Sequence, residues 1–129
     1  MANVRVLFTV SPKTPCDNLY IVGSTSSLGN WNPKKATMLK YNAEINAFVA
    51  TKILPAGETV EYKFITMKDW NGVEKGIWNE EINNRVVVPF KGLKLDLSIE
   101  TFKQNYSTRV LFLLYRKLYF TYKYIPTKI

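Results

Sequence analysis

Apolar and polar positions alternate from the start of the chain. Val4, Val6, Phe8 and Val10 are separated by Arg5, Leu7 and Thr9, a period of two that predicts a strand with one buried face. Ser-Pro-Lys-Thr-Pro at 11–15 breaks this run. Further strands are predicted at 19–23 (LYIVG) and 47–54 (AFVATKIL), the latter ending at the turn signal Pro55-Ala56-Gly57. The clearest is 59–66 (TVEYKFIT), which puts Val60, Tyr62 and Phe64 on one face and Glu61, Lys63 and Ile65 on the other. Two more follow at 85–90 and 93–100, where Leu93, Leu95, Leu97 and Ile99 alternate with Lys94, Asp96, Ser98 and Glu100. Short strands, turn signals between them and no helical period predict an all-β, immunoglobulin-like antiparallel sandwich or open-sided barrel.

Composition bounds this domain. At 129 residues and 47% hydrophobic content the chain can build one core and not two. The pattern places the domain at residues 1–102 and leaves 103–129 as a tail. Net charge is +8, and its distribution matters: residues 1–102 hold 12 Lys/Arg and all 10 Asp/Glu, while 103–129 hold 6 Lys/Arg and no acid. The tail mixes aromatic, apolar and basic residues. That composition fits an extra strand pair, an amphipathic helix docking on a partner or an anionic membrane, an unstructured end, or the translation of an A/T-rich stretch.

Several chemistries drop out. With no histidine and the single cysteine Cys16, neither a Ser-His-Asp nor a Cys-His arrangement can form, nor a histidine-containing zinc site; no metal and no cofactor is expected. Glu80 and Glu81 adjoin on one polar segment, and adjacent carboxylates do not face each other across a scissile bond, so no catalytic residue is assigned. The N-terminal segment MANVRVLFTV lacks the basic, apolar and cleavage regions of a secretory signal, and no apolar run approaches the roughly 18 residues of a membrane span. A cytoplasmic, non-enzymatic protein is expected.

The three tryptophans carry the functional signal. Trp31 in LGNWNPKK, Trp70 in MKDWNG and Trp78 in GIWNEEINNR all lie in polar, loop-like segments and off the alternating faces. A flat exposed ring is a platform for nucleobases, cations, proline-rich peptides or sugars. Around these rings stand Lys63, Asn79, Asn83 and Asn84, groups suited to a neutral polyhydroxyl ligand. A nucleic-acid groove would need more Lys/Arg beside the rings, so none is expected as a partner.

The segments VRVLFTV, NLYIVGSTSSLGNWNPKKATML, LPAGETVEYKFIT, IWNEEINNR and VVVP resemble, in order and spacing, the starch-binding domains of carbohydrate-binding module family 20, over about residues 3–102. The resemblance implies an open-sided β-barrel and a non-catalytic site for α-1,4-glucan: starch, glycogen, a maltooligosaccharide or a cyclodextrin. It implies that Trp31 and Trp78 form the principal sugar surface, with Lys63 and Asn84 matching the family's lysine and asparagine. Asn79 stands where the family commonly has Glu, keeping a hydrogen-bonding amide and losing the carboxylate. The segment before Trp78 is longer than usual and brings Trp70, which either widens the platform or packs beneath it. Of the tyrosines of the family's second site, one falls near Pro15 and is missing, and Tyr41 is a loose candidate for the other. A different reading also stands: an interaction or scaffold domain on the same fold with weak or lost sugar binding, using the tail for a protein partner.

Overall fold

In a computed structural model the structure describes residues 2–103. Two four-stranded sheets face each other and do not close into a barrel. The first has the order β4 (Lys40–Asn42), β5 (Ala47–Pro55), β1 (Asn3–Pro12) and β9 (Lys94–Ile99). The second has the order β3 (Thr37–Met38), β2 (Tyr20–Gly23), β6 (Val60–Ile65) and β8 (Arg85–Val87). A separate ribbon pairs β7 (Glu74–Lys75) with β10 (Thr101–Phe102). Among the described residues no helix is long and apolar enough to cross a membrane.

The period-two faces become the core. Val6, Phe8 and Val10 of β1 meet Val60, Tyr62 and Phe64 of β6, joined by Leu19, Ile21, Phe48, Leu54, Val87 and Ile99. The Phe8 and Tyr62 rings meet edge to face at 5.4 Å between centroids and so link the two sheets. Each of these side chains stabilises the fold by about 1.5–3 kcal/mol through the apolar surface it buries.

One pairing departs from the antiparallel expectation. Strand β9 runs parallel to β1, from Leu7 opposite Lys94 to Pro12 opposite Ile99. Parallel strands need a long crossover, and here the connection runs through β4 and β5 and the whole second sheet. Because β9 is an edge, Leu93, Leu95 and Leu97 are only half-buried despite their alternation, and Ile99 alone is fully enclosed.

The outward face of the second sheet is what positions the site. Ile65, on the same face as Lys63, is fully buried with Val22 and Ala36, packed by Tyr20 and Val73. Two loops fold down over this small second cluster. One joins β2 to β3 and carries Trp31; the other joins β6 to β7 and carries Trp70.

Candidate functional site

Trp31 is held by an unusual backbone. After a 3-10 turn at Ser26–Leu28, Gly29, Asn30 and Trp31 are all left-handed, with φ of 83°, 49° and 62°. Only glycine adopts that region freely; for the other two it costs about 1–2 kcal/mol each. A Cβ at Gly29 would also lie 2.8 Å from the Lys35 carbonyl. The loop is over-determined in return. Leu28 is buried beneath it, the Trp31 N–H donates to the Gly23 carbonyl at 2.8 Å, and the Asn32 side chain accepts the Lys34 N–H at 3.1 Å, starting a second turn at Pro33–Lys35. Local strain of this kind, opposed by surrounding bonds, presents the indole away from the core.

Trp70 arrives from the other loop. It opens a 3-10 turn, Trp70–Gly72, capped by the Asp69 carboxylate, which accepts the Asn71 N–H at 2.8 Å. Gly72 then accepts the Thr66 N–H at 3.0 Å, closing the loop on itself. The Trp31 and Trp70 rings lie 6.3 Å apart between centroids and are inclined at 39°, with Trp70 38% exposed. Together they form a shallow apolar angle at the rim of a cavity of about 530 Å³.

Polar groups complete that cavity. Lys63, Asn83 and Asn84 line it with Lys75, Glu81 and Lys103. The Lys63 ammonium donates to the Ile82 carbonyl at 2.6 Å, which leaves it two further N–H groups. Asn84 donates to the exposed Glu61 carboxylate at 3.4 Å. Glu74, 1% exposed, also lines it, and its carboxylate accepts the Phe64 N–H at 2.8 Å and the Arg85 guanidinium at 2.8–3.0 Å. Arg85 also donates to the Ser98 carbonyl at 2.7 Å and lies over the Phe64 ring. This buried pair ties β7 to β6 and β8 where the ladder between them is only an isolated bridge, Ile65 to Val73.

Of the residues expected at the site, the structure brings Trp31, Lys63, Asn84 and Trp70 together, and Trp78 and Asn79 do not line the cavity. Trp78 is 85% exposed on a tight turn of its own. That turn is pinned: the Gly76 N–H donates to the Glu80 carbonyl, the Trp78 N–H to the Glu80 carboxylate at 2.9 Å, and left-handed Asn79 closes on the Gly76 carbonyl. The Asn79 amide donates to the Phe102 carbonyl at 3.0 Å, a bond a Glu side chain could not make. Tyr41, on β4 of the other sheet, packs edge to face on Phe48 and bonds the Asn46 side chain. It lines a separate cavity of about 460 Å³ with Pro15, Cys16 and Asp17 that shares no residue with the first. Sequence reasoning did not pick out Lys75 or Lys103. The alternation of Val73 and Lys75 across buried Glu74 was a signal, and it is too short to read alone.

The match to known proteins is consistent. The family model described as "Starch binding domain" matches residues 3–97. A cyclomaltodextrin glucanotransferase of Bacillus sp. (strain 1-1) is 36% identical over 94 residues, covering 69% of this chain and 13% of that protein. An AA13 family lytic polysaccharide monooxygenase A of Aspergillus terreus (strain NIH 2624 / FGSC A1156) is 37% identical over 76 residues, covering 57% of this chain and 18% of that protein. The chain therefore spans less than a fifth of either relative. Among solved structures, the family 20 CBM of a maltotetraose-forming amylase from Pseudomonas saccharophila STB07 superposes with a TM-score of 0.54 at 27% identity, covering 74% of this chain and 99% of that one.

Proposed function

The chain belongs to the starch-binding-domain family, a non-catalytic carbohydrate-binding module, and from that premise we propose that it holds α-glucan on the inclined Trp31–Trp70 ring pair. Two indoles at 39° make an angular surface that suits consecutive glucose units of a curved α-1,4-linked chain, whose apolar C–H faces pack on the rings. Lys63 and Asn84, at the edge of the same cavity, supply N–H donors to the hydroxyls. The observation that carries this reading is the ring pair itself. Nothing in the core requires two tryptophans from different loops to meet at a cavity rim. Starch, glycogen, maltooligosaccharides and cyclodextrins all present the needed face.

Trp78 serves a chain long enough to leave the cavity. Its ring is bare and its turn pinned, so it offers a second contact with little ordering cost on binding. Tyr41 offers at most a separate, weaker contact. The scaffold reading is favoured by one observation, the exposed apolar stripe Val86, Val88 and Phe90 along and beyond the edge strand β8. A protein partner for the tail lies outside the described residues.

The experiment is a titration with maltoheptaose or β-cyclodextrin followed by tryptophan fluorescence. Losing one ring of a two-ring platform costs about 2 kcal/mol, or about thirtyfold in Kd. Trp31→Ala and Trp70→Ala are expected to lose that much with the fold retained, and Trp78→Ala to lose less for short sugars than for glycogen. Wild-type affinity in Trp70→Ala refutes the ring-pair site. No response of the wild-type protein at millimolar sugar would leave the scaffold reading.

A further inference from the structure

Beside the ring pair the cavity is basic beyond what a neutral sugar needs. Lys63, Lys75 and Lys103 all line it. They come from β6, β7 and the residue after β10, and the ribbon explains why the last two converge. Phe102 pairs with Glu74 and Thr101 with Lys75, and the Lys103 N–H donates to the Val73 carbonyl at 2.7 Å. Glu74 and Phe102 are buried, and the alternate positions Val73, Lys75 and Lys103 line the cavity together with Glu74.

The carboxylates nearby do not cancel this charge. Glu74 is committed to Arg85 at 2.8 Å. Glu81 reaches Lys75 at 3.7 Å, but its side chain is 92% exposed while that of Lys75 is 12% exposed. Such a loose pair is screened by water and yields readily to a better anion. Glu61, bound to Asn84, is exposed on β6. Lys75 is therefore a largely enclosed cation whose partner is a solvent-facing carboxylate, and Lys63 and Lys103 flank the same space. Three lysines lining one cavity attract an anion more strongly than a neutral hydroxyl.

We propose that this cavity selects α-glucan carrying a phosphate monoester, with glucose rings on Trp31 and Trp70 and the ester oxygens received by Lys75 and Lys103. The proposal rests on the glucan reading of the ring pair. A phosphate monoester suits the lysines because it is close to doubly charged at neutral pH and offers three acceptor oxygens. Lys63 remains with the sugar hydroxyls. Glu81 swings away as the phosphate takes its place.

The test is a fluorescence titration of the full chain with maltoheptaose, with the same oligosaccharide bearing a 6-phosphate, and with inorganic phosphate. At low salt the phosphorylated sugar should bind about tenfold tighter than the neutral one, and the advantage should shrink at several hundred millimolar salt. Inorganic phosphate, lacking ring contacts, should compete only weakly. Lys75→Ala/Lys103→Ala should lose the advantage, so that the two sugars bind it with the same affinity; Lys103→Ala alone, at an exposed position, should lose part of it with the fold intact. Equal affinity for the two sugars overturns the proposal and leaves the glucan site standing. A phosphate advantage that survives in the double variant also overturns it and assigns the preference to the five basic residues beyond Lys103. Inorganic phosphate binding as tightly as the phosphorylated sugar overturns it too, and no response to either sugar removes the glucan reading with it.

Discussion

Replacing Glu74 by Ala tests the device that holds the cavity together. The Glu74 side chain has no exposure, and that of Arg85 has 22%. Its carboxylate meets one backbone N–H, that of Phe64, and two guanidinium nitrogens. Truncation leaves the Phe64 N–H without its acceptor and the guanidinium without its counter-charge, and removing one partner of a buried pair costs about 3–5 kcal/mol. Arg85 keeps the Ser98 carbonyl and some water, which puts the expected loss near the lower end, about 3 kcal/mol. For a domain of this size that lowers Tm by about 12–24 °C. Urea and thermal unfolding measure it. A second variant separates ion pair from cavity: Glu74→Leu/Arg85→Met removes both charges, and because the pair itself adds little net stability, it should be more stable than Glu74→Ala by at least about 1 kcal/mol. A Glu74→Ala loss below about 1 kcal/mol, or a double variant worse than the single, would refute the argument.

Other consequences follow from single residues. Asn79→Glu restores the family's usual residue but sets a carboxylate against the Phe102 carbonyl, so it should cost about 1–3 kcal/mol in urea unfolding and leave maltoheptaose affinity no better. Gly29→Ala forces a side chain into the left-handed region and against the Lys35 carbonyl; stability should fall by more than about 1 kcal/mol and sugar binding should weaken through Trp31. Burial pushes the Tyr62 hydroxyl up to about 12, against 10.0 for a free tyrosine, with Arg85 opposing and Glu74 reinforcing the shift. The unfolded chain therefore releases that proton first. Stability is full below about pH 10 and falls by about 2–3 kcal/mol as pH rises to 12. Unfolding free energies of Tyr62→Phe and wild type across that range should diverge accordingly; parallel curves would show that the buried hydroxyl does not titrate late.

The alternation of Val6, Phe8 and Val10 and of Val60, Tyr62 and Phe64 determines, without any structure, which faces are buried and that the chain is an all-β domain. A strand exposes its sides with a period of two, so five residues suffice to tell inside from outside. The same rule put Lys63 outward, and the loop context of Trp31 and Trp70 marked them as rings outside the main core. Tertiary structure decided the rest, because the remaining choices depend on residues far apart in the chain. Ile65 shares the outward face of Lys63 yet is buried, since two loops fold over it. Trp31 meets Trp70 in preference to Trp78 because the 66–72 loop closes on itself and packs through Val73 on the same small cluster, while the Trp78 turn is tied to Phe102. Lys75 and Lys103, separated by 27 intervening residues, share one cavity only because β7 pairs with β10. Local periodicity encodes a face; which faces meet is set by pairing between distant segments, and the site is built from those meetings.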